Sequence, residues 1–106
     1  MEEQPNLNYF NQIANEDAAI LETLISILKS ELPQQLENYY QSYYSINYLE
    51  CAEAVHKLKH KIGLLGLDKN YELAHQFEQN LRENSFEGKK EFDDVINKMT
   101  NFIKKL

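Results

Sequence analysis

Apolar side chains recur along the chain at the three- and four-residue spacing of amphipathic α-helices. A short first group is followed by four longer ones. The five groups are Leu7, Phe10 and Ile13; Leu21, Leu24, Ile25, Leu28, Leu32 and Leu36; Cys51, Val55, Leu58, Ile62 and Leu65; Leu73, Ala74, Phe77 and Leu81; and Phe92, Val95, Ile96, Met99, Ile103 and Leu106. Four long amphipathic helices joined by short loops predict an all-α protein, an antiparallel four-helix bundle with a short N-terminal helix.

Polar and helix-breaking residues mark where these helices begin and end. Candidate N-caps precede the second, third and fourth helices, and they are Asn15, Asn47 and Asp68. Gly66 is the predicted end of the third helix, and a turn is predicted over residues 84–88. Pro33 lies within the second helix, where a missing hydrogen bond predicts a kink rather than a stop.

Composition and charge narrow the class of protein. The 106 residues suffice for one domain, which we expect to span residues 1–106, and the initial Met1 favours a stand-alone chain. The net charge of −6 argues against nucleic acid or an anionic membrane as the main partner. The single cysteine, Cys51, excludes an internal disulfide. With a polar N-terminus and no apolar run of about 20 residues, we expect a cytoplasmic monomer.

Four tyrosines, Tyr39, Tyr40, Tyr43 and Tyr44, are the one feature that resembles a base-stacking platform. Such a platform needs interleaved basic residues, and residues 31–50 contain no lysine or arginine. We therefore expect these tyrosines to pack the end of the bundle with their hydroxyl groups in water.

One histidine lies in a positively charged part of the third predicted helix. At 100° per residue, His56 lies about 140° from the midline of the apolar stripe, so its side chain is predicted to face outward. Lys59 lies between His56 and that stripe, at the edge of the outward-facing flank, and Lys57 and Lys61 add charge nearby. The sequence therefore predicts an island of positive charge around an exposed imidazole.

This arrangement suits a phosphohistidine. A histidine side chain is mostly neutral at pH 7, and its unprotonated nitrogen is a nucleophile. Lys59, one turn after His56, is best placed to reach the added phosphoryl oxygens. Ala52 and Gly63 on the same flank have small side chains that would leave room for a partner. Exposed histidines are also common without a function, so the geometry leaves both interpretations open.

Two metal sites are alternatives. His56 and His60, four residues apart, could hold a metal on one helix face, although Lys57 follows where a zinc protease would have glutamate. Glu53 and His56, with Glu72 and His75, match the paired Glu-x-x-His pattern of di-iron bundles. Those ligands must point inward, whereas both histidines are predicted to face outward.

A nucleophile triad has nothing to build on. Cys51 is in the core stripe, and no serine pairs with a histidine at a recognisable spacing.

The segment around His56 resembles the histidine-containing phosphotransfer (HPt) family. That family's signature is His-x-Leu-Lys-Gly followed by a Leu-Gly pair, and here the residues are His56-Lys57-Leu58-Lys59-His60, then Leu65-Gly66. Further similarity covers nearly the whole chain, in Glu31-Leu32-Pro33, Asn47, Leu73-Ala74 and Phe77-Glu78. One residue departs from the signature, since His60 replaces a glycine that gives the phosphoryl group and its partner space.

The resemblance implies roles for particular residues. His56 would be the phosphoacceptor and Lys59 its electrostatic partner, while Gly66 would permit tight helix packing. A docking surface would include the residues around the histidine and an apolar contact from the first helix. The members expected on that surface are Ala52, His56, Lys59, His60, Gly63 and Ile13.

The resemblance also implies a passive mechanism. The chain would be a phosphocarrier rather than an enzyme, and would hold no cofactor or metal of its own. Receiver domains of a hybrid histidine kinase and of a response regulator would supply the acceptor aspartate, the acidic pocket and Mg²⁺. Two alternatives remain from the sequence, namely an HPt-like adaptor that binds a receiver without accepting phosphate, and a small histidine-based metal-binding bundle.

Overall fold

The computed structural model describes residues 3–106 and places them in five α-helices, with no β-strand in this part of the chain. The helices are α1 (Asn8–Ala14), α2 (Ala18–Tyr44), α3 (Tyr48–Leu64), α4 (Asp68–Arg82) and α5 (Lys89–Lys104). Connections of three to six residues join them. The predicted all-α fold, four long helices after a short first one, is confirmed.

Contacts between helices show that neighbours run antiparallel. Lys61, near the end of α3, forms an ion pair with Glu31 in the first half of α2. Tyr39, near the end of α2, donates a hydrogen bond to Asp93, near the start of α5. The helix α3 packs most extensively against both α2 and α4, so it is the central element of the bundle.

Short polar contacts fix two of the helix starts. Asp17, rather than the predicted Asn15, caps α2, and its carboxylate accepts hydrogen bonds from two backbone N–H groups of the first turn. Asn15 instead ends α1 in the left-handed conformation, which asparagine tolerates better than most residues. Asn47 caps α3 as predicted, since its side chain accepts a hydrogen bond from the backbone N–H of Glu50.

The start of α4 differs from the prediction. Asp68 is the first helical residue and makes no cap hydrogen bond there. The carboxylate of Glu3 accepts hydrogen bonds from the backbone N–H groups of Lys69 and Asn70, so a distant segment satisfies the first turn. Sequence spacing cannot reveal a cap that lies more than sixty residues away.

Two helix-breaking residues have different consequences. The helix α2 continues through Pro33, as predicted. Gly66 follows α3 with φ +76°, a left-handed backbone that favours glycine. A Cβ atom there would meet the side chain of Asn6 at 2.5 Å. Gly66 therefore permits a turn and the close approach of the N-terminal segment, rather than the helix packing that the resemblance implied.

The core is made of the predicted stripes. Cys51, Val55, Leu58, Ile62 and Leu65 are all fully buried. Their facing partners from the other helices include Leu28, Leu32, Phe77, Leu81, Phe92, Ile96 and Met99.

The tyrosine prediction is only partly confirmed. Tyr44 is exposed, but Tyr39 is fully buried and its hydroxyl group bonds Asp93 rather than water.

In residues 3–106, no helix combines the length and apolar character that crossing a membrane requires.

Candidate functional site

The helix α3 presents His56 to solvent, as predicted. Its side chain is 48% exposed, whereas Leu58, on the other side of the helix, is fully buried. The side chain lies at the boundary between α3 and α4, so one edge of the imidazole faces protein and the other faces water. Half-exposure allows a macromolecular partner to reach the ring while its orientation is held from below.

A buried carboxylate from α4 holds the imidazole. The Nδ1 atom of His56 lies 3.1 Å from Oε1 and 3.2 Å from Oε2 of Glu78. An ionised carboxylate only accepts hydrogen bonds, so this contact requires the proton of a neutral imidazole to be on Nδ1. The Nε2 atom is then unprotonated and is the nucleophilic nitrogen.

Glu78 tolerates burial because three cationic or proton-donating side chains surround it. Arg82 contacts Oε2 at 2.9 Å through Nη2, and the Nζ atom of Lys59 lies 3.0 Å from Oε1. Burial alone would raise the pKa of Glu78, but hydrogen bonds from Arg82, Lys59 and His56 outweigh it and lower the pKa to about 2. Glu78 is therefore ionised at any pH near neutrality.

The position of Lys59 differs from the prediction. It was expected at the edge of an exposed flank, but its side chain is only 6% exposed. Its ammonium group is already engaged by Glu78 and by the Nδ1 atom of His75, 3.2 Å away. The reason is that α3 packs against both α2 and α4, so its buried arc is wider than the single apolar stripe read from the sequence.

The same wide arc overturns the prediction for Ala52. Ala52 lies seven residues before Lys59, hence on the same helix face, and it is fully buried. The expectation that it lines an exposed docking flank is wrong.

The other predicted docking residues lie closer to the surface. His60 is exposed, and its ring centroid lies 4.8 Å from that of His56. Gly63 is half-buried, and a Cβ atom there would approach the ring of Tyr71 in α4 at 3.3 Å, so its small size serves the α3–α4 contact. Ile13 is 56% exposed on α1.

The predicted island of positive charge is smaller than expected. Lys57 is exposed, but Lys61 pairs with Glu31, and Lys59 is matched by Glu78. The charge that remains near His56 depends mainly on the balance around one carboxylate.

Sequence reasoning missed the roles of Glu78, Arg82 and His75. A signal for Glu78 was present, because it lies one residue after Phe77 and four after Ala74, which places it on the apolar face of α4. An acidic residue at such a position requires a partner, and Arg82 four residues later is one.

The alternative sites are less developed. Among residues 3–106, no group of three or more histidine, cysteine, aspartate or glutamate side chains is arranged to hold a metal ion. His56 and His75 both face outward, as predicted, so neither can be an inward-facing ligand of a di-iron bundle. Cys51 is buried, and burial raises the pKa of its thiol, which makes it a poor nucleophile.

Comparison with known proteins supports one family. The family model of the Hpt domain matches residues 23–102, which include all of the residues that surround His56. Neither a curated protein nor a solved structure was found to match the chain. Because the family match covers about three quarters of the 106 residues, the chain belongs to the Hpt domain family, whose members are phosphocarriers in two-component signalling.

Proposed function

We propose that this protein is a phosphorelay intermediate that accepts a phosphoryl group on His56 from an aspartate of one receiver domain and passes it to another. One observation carries the proposal: His56 is half-exposed while its Nδ1 atom is held by the buried carboxylate of Glu78. A side chain oriented from below and open above is what a phosphoacceptor needs, because the partner must bring its aspartyl phosphate to a nucleophile already in position.

The transfer step uses the free nitrogen of the ring. The lone pair on Nε2 of His56 attacks the phosphorus atom, the N–P bond forms, and the bond from phosphorus to the aspartate oxygen breaks. The aspartate leaves as a carboxylate. Because Nδ1 keeps its proton, the phosphorylated ring gains a positive charge, and Glu78 at 3.1 Å neutralises it. Transfer to the second receiver is the reverse of these steps.

Two cations next to the ring favour the phosphorylated state. Lys59 and Arg82 share Glu78, so together the three side chains have a single net positive charge. That charge attracts the incoming phosphoryl group, and each cation has N–H groups beyond those used by Glu78. We keep Lys59 in the role of phosphoryl stabilisation, now as a buried, pre-positioned group rather than a flexible surface lysine, and we add Arg82.

The partners we propose are receiver domains of a hybrid histidine kinase and of a response regulator. Docking would use His60, Gly63 and Ile13 around the ring, without Ala52. The acidic pocket and Mg²⁺ belong to the receiver, so catalysis resides in the partner and this chain supplies a positioned nucleophile.

The test is phosphoryl uptake from a receiver domain charged with acetyl phosphate, followed on Phos-tag gels. We expect the wild-type protein to take up acid-labile phosphate and His56→Gln to take up none, with its helical circular dichroism spectrum unchanged. His60→Gln is the matched control and should still accept phosphate. Receiver binding without any phosphate uptake by the wild-type protein would contradict the proposal and indicate an adaptor.

A further inference from the structure

The ammonium group of Lys59 is held by a face of α4 that the phosphoacceptor does not use. Tyr71, His75 and Glu78 are spaced by four and three residues, so they share one side of that helix. The Nζ atom lies 3.0 Å from Oε1 of Glu78, 3.2 Å from Nδ1 of His75 and 5.4 Å from the centroid of the Tyr71 ring. Lys59 therefore has two hydrogen-bond acceptors and an aromatic face around it.

The two acceptors determine where the third N–H group of Lys59 points. An ammonium group has three N–H donors at tetrahedral angles. Contact with Glu78 alone would leave the long side chain free to swing about that one contact. A second acceptor, His75, fixes the ammonium group at two points and thereby fixes the direction of the remaining N–H.

His75 is suited to this task because it accepts a hydrogen bond without adding charge. Glu78 is already shared by His56, Lys59 and Arg82, so it cannot compensate each of them fully. A neutral imidazole with an unprotonated Nδ1 offers a further acceptor to the buried ammonium. The His75 side chain is otherwise exposed, so its Nε2–H group can bond water at no cost.

We propose that His75 is a positioning residue, which holds Lys59 in the orientation that receives the phosphoryl group on His56. The proposal rests on the phosphoacceptor role of His56 and deepens it. His75 itself touches neither the phosphoryl group nor the reacting nitrogen. Its contribution is the fixed direction of one N–H of Lys59.

Substitutions at His75 separate the acceptor atom from the rest of the ring. Asparagine places an amide oxygen close to the position of Nδ1, whereas leucine has similar bulk and no acceptor. We expect His75→Leu to lower the maximal rate of phosphoryl uptake from a charged receiver by about five- to tenfold, the range of a lost hydrogen bond to a charged group. His75→Asn should stay within about twofold of wild type. The receiver concentration for half-maximal rate should change in neither.

The matched control is Gln79→Leu, the same kind of exposed polar-to-apolar change one turn further along α4. It should leave the rate within about twofold of wild type. A His75→Leu rate equal to wild type, a His75→Asn rate as low as that of His75→Leu, or an equal loss in Gln79→Leu would overturn the positioning role.

Nitrogen-15 NMR of the His75 imidazole provides a readout that needs no partner. In the unphosphorylated protein, Nδ1 should be unprotonated and Nε2 protonated, and Lys59→Ala should perturb the Nδ1 signal. A protonated Nδ1 would overturn the proposal even if His56 accepts phosphate normally. Failure of the wild-type protein to accept any phosphate would overturn the phosphoacceptor role of His56 and this proposal together, which distinguishes the two failures.

Discussion

Replacing Glu78 by glutamine tests the charge cluster beneath His56. The variant keeps the size of the side chain and one acceptor oxygen but loses the negative charge that Arg82, Lys59 and His56 share. These contacts lower the pKa of Glu78 from 4.5 to about 2. Since each pH unit between folded and unfolded pKa values corresponds to about 1.4 kcal/mol, the ionised carboxylate contributes about 3 kcal/mol to the free energy of unfolding at pH 7. Glu78→Gln should lose about that much.

The same shift determines how the loss depends on pH. A carboxylate with a lowered folded-state pKa stabilises the protein fully above its unfolded-state pKa, here about 4.5, and the stabilisation is lost as pH falls through the folded-state value near 2. The difference in unfolding free energy between wild type and Glu78→Gln should therefore be about 3 kcal/mol at pH 7 and about 1.5 kcal/mol at pH 3. Other carboxylates titrate in both proteins and cancel in this difference.

Urea unfolding followed by circular dichroism at a series of pH values measures this difference directly. Glu31→Gln is the control, since Glu31 is an exposed acidic residue with one lysine partner, Lys61. Its loss should stay below about 1 kcal/mol. A difference between wild type and Glu78→Gln that stays constant from pH 7 to pH 3 would refute the charge-cluster reasoning.

Two further predictions concern the residues next to His56. Leu58→Ala removes a fully buried side chain from α3 and should reduce the free energy of unfolding by about 2–5 kcal/mol in urea titrations; a change within error would mean that the helix is rotated from the position described. Lys59→Ala should cost about 3 kcal/mol because it breaks a buried ion pair, and it should also shift phosphate from His56 toward the receiver, whereas exposed Lys57→Ala should cost less than about 0.5 kcal/mol; equal effects of the two substitutions would indicate diffuse electrostatics.

The helices and the outward direction of His56 follow from the sequence because they depend on local periodicity. Five apolar stripes with few glycine or proline residues determine the helices, and one helical wheel places Leu58 inside and His56 outside. A single wheel cannot show how many neighbours a helix has. Since α3 packs against two helices, its buried arc includes Ala52 and Lys59, which the wheel placed at the edge of the exposed flank.

The rest of the site could not be predicted because it joins residues that are distant in the sequence. Glu78 meets His56 across 22 residues, and Glu3 caps α4 across more than 60. Such contacts depend on the relative rotation and height of two packed helices, which apolar spacing does not determine. The sequence did contain a hint, namely an acidic residue on the apolar face of α4, whose burial requires cationic partners.

The phosphorylated nitrogen is the measurement that tests the central claim most directly. Phosphorus–proton and nitrogen-15 correlation NMR on the protein, phosphorylated by a charged receiver, identifies both the residue and the ring atom that bind phosphorus. Because Glu78 holds Nδ1 of His56, phosphorus should be bound to Nε2 of that residue. Phosphorus on Nδ1 of His56, or on His60 or His75 instead, would contradict the account.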